Sequence, residues 1–347
     1  MARVKKVSQT QLAKELGISQ ALVSLVLNGR RQGINIETYD RIWAHAVKRG
    51  YHPKGMHLAS SPAAQPRQVG IILRAPLRLN TPSMYFGHVQ HGLHGVLESR
   101  EFTAVFLGAE DQLDAKKLRR FFQAGHHFQG IVLMGEVSRP FLDQLRRFGL
   151  RIVAVSARYP GLCHSVLGNE PHALESLVAH LHALGHRRFG WLGGNVGLGR
   201  QEARLQALES ALGRLNLALD PRYTVKLKEA DRAEGAEAAH AMLPAARRRD
   251  FPTAFICYNT LMGAGATRTF EREGWHVPRD ISIASADLSP IATDGQPRIT
   301  SAGSNPEKLG EAAARLVIES LNGEADVFTD LMLPAQLFVG ETTGPAS

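Results

Sequence analysis

The sequence predicts a small all-α domain at the N-terminus, followed by a two-lobed α/β core with parallel sheets and helices on both faces. Three observations predict it. Charge is concentrated at one end, a helical pattern is confined to that end, and strands alternate with helices through the rest. The chain has 347 residues and a formal net charge of +9. Residues 1–58 hold ten Lys/Arg against three Asp/Glu, whereas the other 289 hold 31 against 29. Such asymmetry points to a polyanionic partner for the basic end, or to a solubilising basic face. The helical pattern inside the segment decides between them.

Leu12, Ala13 and Leu16 fall on one face of a short first helix. Gly17 tolerates positive φ and stops that helix, and Ser19 is a good N-cap for a second. At about 100° per residue, Leu22, Val23, Val26 and Leu27 cluster on one side of the second helix. Gln20, Ala21, Ser24, Leu25 and Asn28 cluster on the other. Asn28-Gly29 ends it and Arg30-Arg31 follow. Asn35 caps a third helix, Ile36 to Arg49, with Ile42, Ala46 and Val47 inward. Two helices joined by a tight glycine turn and supported by a third make a helix-turn-helix.

The outward face of the second helix has the chemistry of a groove reader. Gln20 can bond an adenine edge in two places, Ser24 and Asn28 reach phosphates or base edges, and Ala21 and Leu25 press on thymine methyls. Leu25 is the informative residue, because a large apolar side chain on an exposed face needs a reason. Its alternative role is packing against the first helix. Thr10 and Ser19 join the same candidate set. Arg30, Arg31, Lys48, Arg49 and Lys54 are candidates to neutralise phosphates.

Pro, Ser and Ala dominate from Ser60 to Pro66, which reads as a linker. The expected organisation is therefore a headpiece over residues 1–58, a hinge over 59–66 and a core over 67–343. In the core, β-rich apolar runs occur at Val69–Leu73, Thr103–Leu107, Gly130–Met134, Arg151–Val155, Phe189–Leu192, Thr253–Cys257 and Ser282–Ala286. Helix-period segments lie at Tyr85–Arg100, Ala115–Ala124, Pro140–Phe148, His172–Gly185, Arg200–Gly213, Glu234–Arg249, Leu261–Glu273 and Glu307–Leu321. This alternation argues for parallel sheets covered on both faces. The length argues for two lobes, with a ligand site between them at the carboxyl ends of strands.

Two unpaired cysteines, Cys163 and Cys257, suggest neither a disulfide framework nor a zinc site. No N-terminal apolar segment and no long apolar run appear, so a cytoplasmic protein without a membrane span is expected. No cofactor or metal is expected.

The chain resembles the LacI/GalR family of transcriptional regulators over nearly its whole length. The resemblance rests on Leu12-Ala13 to Asn28-Gly29, on Gly50-Tyr51-His52-Pro53, on Val69-Gly70-Ile71-Ile72 and on Tyr85-Phe86. It continues through Leu184-Gly185-His186-Arg187-Arg188-Phe189-Gly190, Val277-Pro278-Arg279-Asp280-Ile281-Ser282-Ile283, Arg298-Ile299-Thr300, Leu309-Gly310 and Leu333-Pro334. It implies a DNA-binding headpiece, a hinge, and a core like the type I periplasmic sugar-binding proteins. It also implies a homodimer on double-stranded DNA at a near-palindromic operator, with affinity set by a small effector, most simply a sugar.

Carried over by position, the resemblance assigns Arg204 as an effector clamp, Asp287 as an acceptor of sugar hydroxyls and Asn259 as the first residue of an Asn-Asp pair whose second is here Thr260. Ser156 stands where the family has an Asp, and Gly168-Asn169 where it has Asp-Asn. Tyr85, Phe86, Trp275 or Tyr258 could stack on a ring. The family's guanine-reading Arg is here Leu25, which implies half-sites lacking that guanine. Its minor-groove Leu is matched only by the displaced Leu58, since Ser60 holds the family position.

Two other readings stay open. One is a DNA-binding regulator whose core binds no effector. The other is a cleft enzyme acting on a phosphorylated ligand, suggested by the Gly193–Gly199 turn, which follows a strand and precedes a helix but matches no nucleotide motif. His88, His91 and His94 on one helix raise metal binding without supporting carboxylates.

Overall fold

The computed structural model describes residues 7–27, 34–49, 67–75, 84–122, 128–325 and 327–346. Three helices form the headpiece: α1 (Gln9–Leu16), α2 (Gln20–Leu27) and α3 (Ile36–Lys48). Ser8 and Gln11 form a capping box on α1, and Gly17 closes it in the left-handed region at φ 66°. The Ser19 hydroxyl accepts from Leu22 N–H at 3.2 Å and Asn35 Oδ1 from Glu37 N–H at 2.8 Å, so both expected caps form. Leu12, Ala13, Val23, Val26, Leu27, Tyr39, Ile42 and Ala46 make the headpiece core. The Val47 side chain lies outside the described residues.

The first lobe contains β1 (Arg67–Leu73), α4 (Met84–Ser99), β2 (Phe102–Ala109), α5 (Ala115–Phe122), β3 (Phe128–Met134), α6 (Arg139–Arg146), β4 (Arg151–Val155) and β5 (His164–Gly168). The second contains α7 (Glu170–Ala183), β6 (Phe189–Gly193), α8 (Gly199–Gly213), β7 (Thr224–Lys226), α9 (Arg232–Met242), β8 (Ala254–Cys257), α10 (Thr260–Arg272), β9 (Ser282–Ser285), α11 (Pro290–Asp294) and β10 (Thr300–Gly303). The chain then returns to the first lobe as α12 (Pro306–Leu321) and β11 (Asp330–Leu333), and ends in the second as β12 (Gln336–Phe338). The sheet orders are β11-β5-β4-β3-β1-β2 and β12-β10-β9-β8-β6-β7. Every pairing is parallel except β10 with β12.

The chain thus crosses between lobes three times, near Asn169, Ser304 and Pro334. These crossings are tied together. The Ser304 hydroxyl donates to the Leu333 carbonyl at 2.9 Å and accepts from Asn169 N–H at 3.3 Å, and Asn169 N–H also reaches the Leu333 carbonyl at 3.0 Å. Helix α12 packs against α4 at glycine contacts. A Cβ on Gly310 would lie 1.8 Å from the Val89 carbonyl oxygen, and one on Gly92 2.0 Å from that of Glu307, so only glycine allows this approach.

The expected strands and helices all occur, with shifted ends. Helix α7 begins at Glu170, not His172, because Asn169 caps it and Pro171 opens its first turn. Helix α9 stops at Met242 and gives way to a 3₁₀ turn, because Pro244 cannot continue it. The short strands β5, β7, β10, β11 and β12 and helix α11 were not expected. Strand β10 is fully buried but made of Thr, Ser, Ala and Gly, a composition without an apolar signal. Its polar groups are met by the C-terminal segment: Thr300 N–H donates to Thr342 Oγ1 at 3.0 Å, and Thr300 and Thr343 share a hydroxyl bond at 2.8 Å.

Candidate functional sites

Helix α2 presents two different faces. Val23, Val26 and Leu27 are buried against α1 and α3. Gln20, Ala21 and Leu25 point outward, with Leu25 41% exposed and Ser24 half-buried. Gln20 Nε2 donates to Gln9 Oε1 at 3.4 Å, which orients its amide along the outward face. Thr10, in the first turn of α1, and Ser19, the N-cap of α2, are exposed. The helix carries no charged residue, so its base-reading groups are one amide, one hydroxyl and two apolar side chains. Asn28, Arg30, Arg31, Lys54 and Leu58 lie outside the described residues, as does the Lys48 side chain.

Arg49 is engaged elsewhere. It forms a two-point ion pair with Glu15, at 3.0 and 2.7 Å, and His45 reaches the same carboxylate at 2.7 Å. These bonds hold the Glu15 carboxyl below its ordinary value. They fasten α1 to α3, so Arg49 positions the headpiece helices rather than standing ready for phosphate.

The second site is the cleft between the lobes, at the carboxyl ends of the strands. Tyr85, Phe86, Ser156, Arg204, Asn259 and Asp287, all expected there, line it. Ser156 follows β4 with φ 59°, an uncommon backbone state for a residue other than Gly, Asn or Asp. Its hydroxyl shares a 2.9 Å bond with the Tyr85 phenol.

Arg204 is only 1% exposed. Its Nε donates to Glu170 Oε2 at 2.7 Å and its Nη1 to the Tyr258 carbonyl at 2.5 Å, with the guanidinium 4.7 Å from the Tyr258 ring centre. Arg200, one turn earlier on α8, donates from Nε to Glu170 Oε1 at 2.7 Å and from Nη2 to the Tyr85 phenol at 3.2 Å. Burial alone would raise the Glu170 pKa, but the two guanidiniums outweigh it and hold the carboxyl below its ordinary value. Arg204, the residue expected to clamp an effector, thus already holds an internal carboxylate.

Asp287 is preorganised in a similar way. Its Oδ1 accepts from the Thr260 N–H at 2.7 Å and from the Thr260 hydroxyl. Thr260, where the family has Asp, thus becomes a donor to Asp287. Among the described residues Oδ2 has no hydrogen-bond partner, so one carboxylate oxygen remains for a ligand in the cleft. Asn259 caps α10, accepting from Met262 N–H at 2.8 Å and donating to the Ala230 carbonyl at 2.8 Å. Asn169, at the first crossing, caps α7.

Direct bonds join the lobes across the cleft. Glu136, just after β3, accepts from Gly199 N–H at the start of α8 at 2.8 Å, where the helix dipole favours a carboxylate. Arg74, just after β1, donates to Asn195 Oδ1 at 3.4 Å. Together with the Arg200–Tyr85 bond, these contacts bridge the two lobes.

Sequence reasoning missed Glu170, Glu136, Arg74 and Arg200. The available signals were position after a strand end, for Glu136 and Arg74, and the four-residue spacing of Arg200 and Arg204.

Other expectations resolve differently. Trp275 is not in the cleft; it packs on Phe251 and Phe270 at ring distances of 5.8 and 6.2 Å. Gly193 and Gly194 are required by packing rather than by phosphate. A Cβ there would meet Trp191 Nε1 at 2.3 Å and the Glu229 carbonyl at 2.3 Å. His91 faces Glu307 at 3.6 Å and His94 faces Glu98 at 3.7 Å, and among the described residues no group of three metal-ligating side chains forms. Cys163 and Cys257 are buried and free; burial pushes the Cys163 thiol up to about 12.

His186, in the stretch Leu184–Gly190, is buried. It meets Thr253 Oγ1 at 2.8 Å, Ser282 Oγ at 3.0 Å and the Gly344 carbonyl at 3.0 Å. It fastens the C-terminal segment to the second lobe. Among the described residues, no helix is long and apolar enough to cross a membrane.

Residues 178–343 match the model of a periplasmic binding protein-like domain. The ribose operon repressor of Haemophilus influenzae is 23% identical over 325 residues, covering 93% of this chain and 94% of that protein. The HTH-type transcriptional repressor PurR of Aliivibrio salmonicida is 23% identical over 324 residues, covering 92% of each. Among solved structures, a LacI-type putative transcriptional regulator from Bacillus cereus subsp. cytotoxis superimposes with a TM-score of 0.71 at 19% identity, over 81% of this chain and all of that one.

Proposed function

We propose that this chain is a transcriptional regulator of the LacI/GalR family rather than an enzyme, and that it reads a near-palindromic operator as a homodimer under the control of a small ligand held between its lobes. The observation that carries DNA reading is the outward face of α2, where Gln20, Ala21 and Leu25 stand exposed on an otherwise well-packed headpiece. Two such heads place half-sites about one DNA turn apart. The headpiece is residues 1–58, the hinge 59–66 and the core 67–343, and the protein works in the cytoplasm, where its DNA is.

The ligand is a polyol or sugar. The unpartnered Asp287 Oδ2 accepts hydroxyls, Arg74 and Ser289 donate, and Phe86 offers an apolar wall. Binding acts on the interlobe bonds Glu136–Gly199, Arg74–Asn195 and Arg200–Tyr85, because a ligand shifts a conformational equilibrium only through differential contacts with the two states. A second reading, a regulator whose core takes no effector, is favoured by the saturation of Arg204 by Glu170 and Tyr258.

A thermal-shift screen of pentoses, hexoses, polyols and nucleosides, paired with DNA binding by anisotropy, separates the two readings. A compound that raises the melting temperature and changes operator affinity supports the effector. Intact DNA binding with no stabilising compound supports the effector-free core. Failure to prefer any DNA sequence contradicts both.

A further inference from the structure

Charge is unevenly placed on the first lobe. Its strands are parallel and start at one end, as the pairings Arg67 with Phe102, Gln68 with Phe128 and Gly130 with Arg151 show. The cleft lies at the opposite end, after β1, β3 and β4. Helices α5 and α6 run toward the starting end, and the ring contact of Phe122 with Phe148, at 5.2 Å, holds their C-terminal ends side by side. Arg119 and Arg120 occupy the last turn of α5. Arg146 and Arg147 end α6, and Arg151 begins β4.

All five arginines are exposed. Asp143 pairs with Arg146, at 3.7 Å, and with Arg139, at 3.1 Å. Among the described residues, Arg119, Arg120, Arg147 and Arg151 have no ion-pair partner. A helix C-terminus favours one nearby cation by a few tenths of a kcal/mol to about 1 kcal/mol. That does not account for four uncompensated arginines crowded at one pole, where like charges repel.

The location supplies the partner. Arg67, the first residue of β1, lies at this same pole, and it is where the chain from the headpiece enters the core. We propose that the arginine pole of the first lobe, Arg119, Arg120, Arg147 and Arg151, is a second, sequence-independent contact surface for the phosphate backbone of DNA. The headpiece reads bases, and the pole adds affinity along the same duplex. The inference rests on the DNA-binding reading above and extends it to a part of the core with no role in the cleft.

The test uses the full-length protein and two duplexes recovered by selection from random DNA. One ends at the selected site and the other is extended to about 40 base pairs, and binding is followed across a salt series. Replacing Arg119, Arg120, Arg147 and Arg151 together with Gln is expected to weaken binding to the longer duplex about tenfold near 100 mM salt. It should also flatten the salt slope by at least about 2, since each neutralised phosphate contributes about 0.9. Sequence ranking should not change. The exposed second-lobe pair Arg249→Gln and Arg268→Gln is the charge control and should leave both values unchanged.

If the fourfold variant melts early, the pair Arg119→Gln and Arg120→Gln gives the same comparison, with a loss of about threefold expected. Unchanged slope and affinity on both duplexes, or equal losses in the control, would overturn the arginine pole while leaving headpiece recognition standing. A wild-type chain that binds no duplex would overturn both.

Discussion

The outward face of α2 and the cleft between the lobes are both built from residues able to recognise something, yet they treat those residues in opposite ways. On α2, Leu25, 41% exposed, and Ala21 stand open to solvent. In the cleft, Arg204, Arg200, Asn259 and one oxygen of Asp287 already have internal partners. A single exposed leucine is ordinary on its own; beside Gln20 and Ser24 it completes a face with the chemistry to meet base edges and thymine methyls. In the cleft the guanidiniums grip an internal carboxylate, so a ligand that uses them must compete with bonds already made. The first surface waits for its partner, and the second carries a substitute for one.

The comparison breaks most visibly at Glu170. Replacing it with Gln leaves the Arg200 and Arg204 guanidiniums facing each other in a buried site, and breaking a buried pair this way costs about 3–5 kcal/mol. A chemical or thermal melt should show the second lobe destabilised by that order. A near-neutral result would mean that the fold does not need the pair.

Glu136 tests the joint between the lobes. Glu136→Ala removes the carboxylate that caps α8 from the other lobe, a charge-assisted bond worth about 1 kcal/mol. A modest fall in melting temperature, together with faster proteolysis or a larger radius in small-angle scattering, is expected. Identical scattering and stability would show that the lobes do not depend on this contact.

A smaller effect is expected from pH. Burial holds the His186 and His180 imidazoles below their ordinary values. A histidine whose pKa is depressed by folding binds fewer protons in the native state than in the unfolded chain. Its contribution is therefore present above 6.5, the ordinary value, and is lost as pH falls below that toward the depressed value. Melting temperature should decline on acidification below this point, and His186→Gln should make the decline shallower. An equally steep decline in the variant would assign the effect to other groups.

The two regions also differ in how far they could be read from sequence. The headpiece is local. Its caps, its glycine turn and its two-faced second helix are contained in about forty consecutive residues with helical periodicity, so Ser19, Asn35 and the outward set were legible. The membership of the cleft was legible too, because Tyr85, Phe86, Ser156, Arg204, Asn259 and Asp287 all line it. The use the fold makes of them was not. Glu170 meets Arg204 only because the chain crosses between lobes at Asn169, and Glu136 meets Gly199 only because two strand ends face each other. No periodicity records pairings of that range. The same holds for β10, where Thr, Ser, Ala and Gly are buried because the C-terminal segment supplies their hydrogen bonds.

The central claim is that α2 reads bases through an uncharged, partly apolar face. Selection of binding sites from random DNA by the wild-type protein and by Leu25→Ala tests it most directly. The account predicts that the wild-type protein enriches two half-sites about one turn apart, with A·T pairs and no required guanine opposite Leu25. It also predicts that Leu25→Ala folds normally but loses the thymine preference at that position, by about tenfold or less. A half-site that demands guanine there and keeps that demand in Leu25→Ala would contradict it.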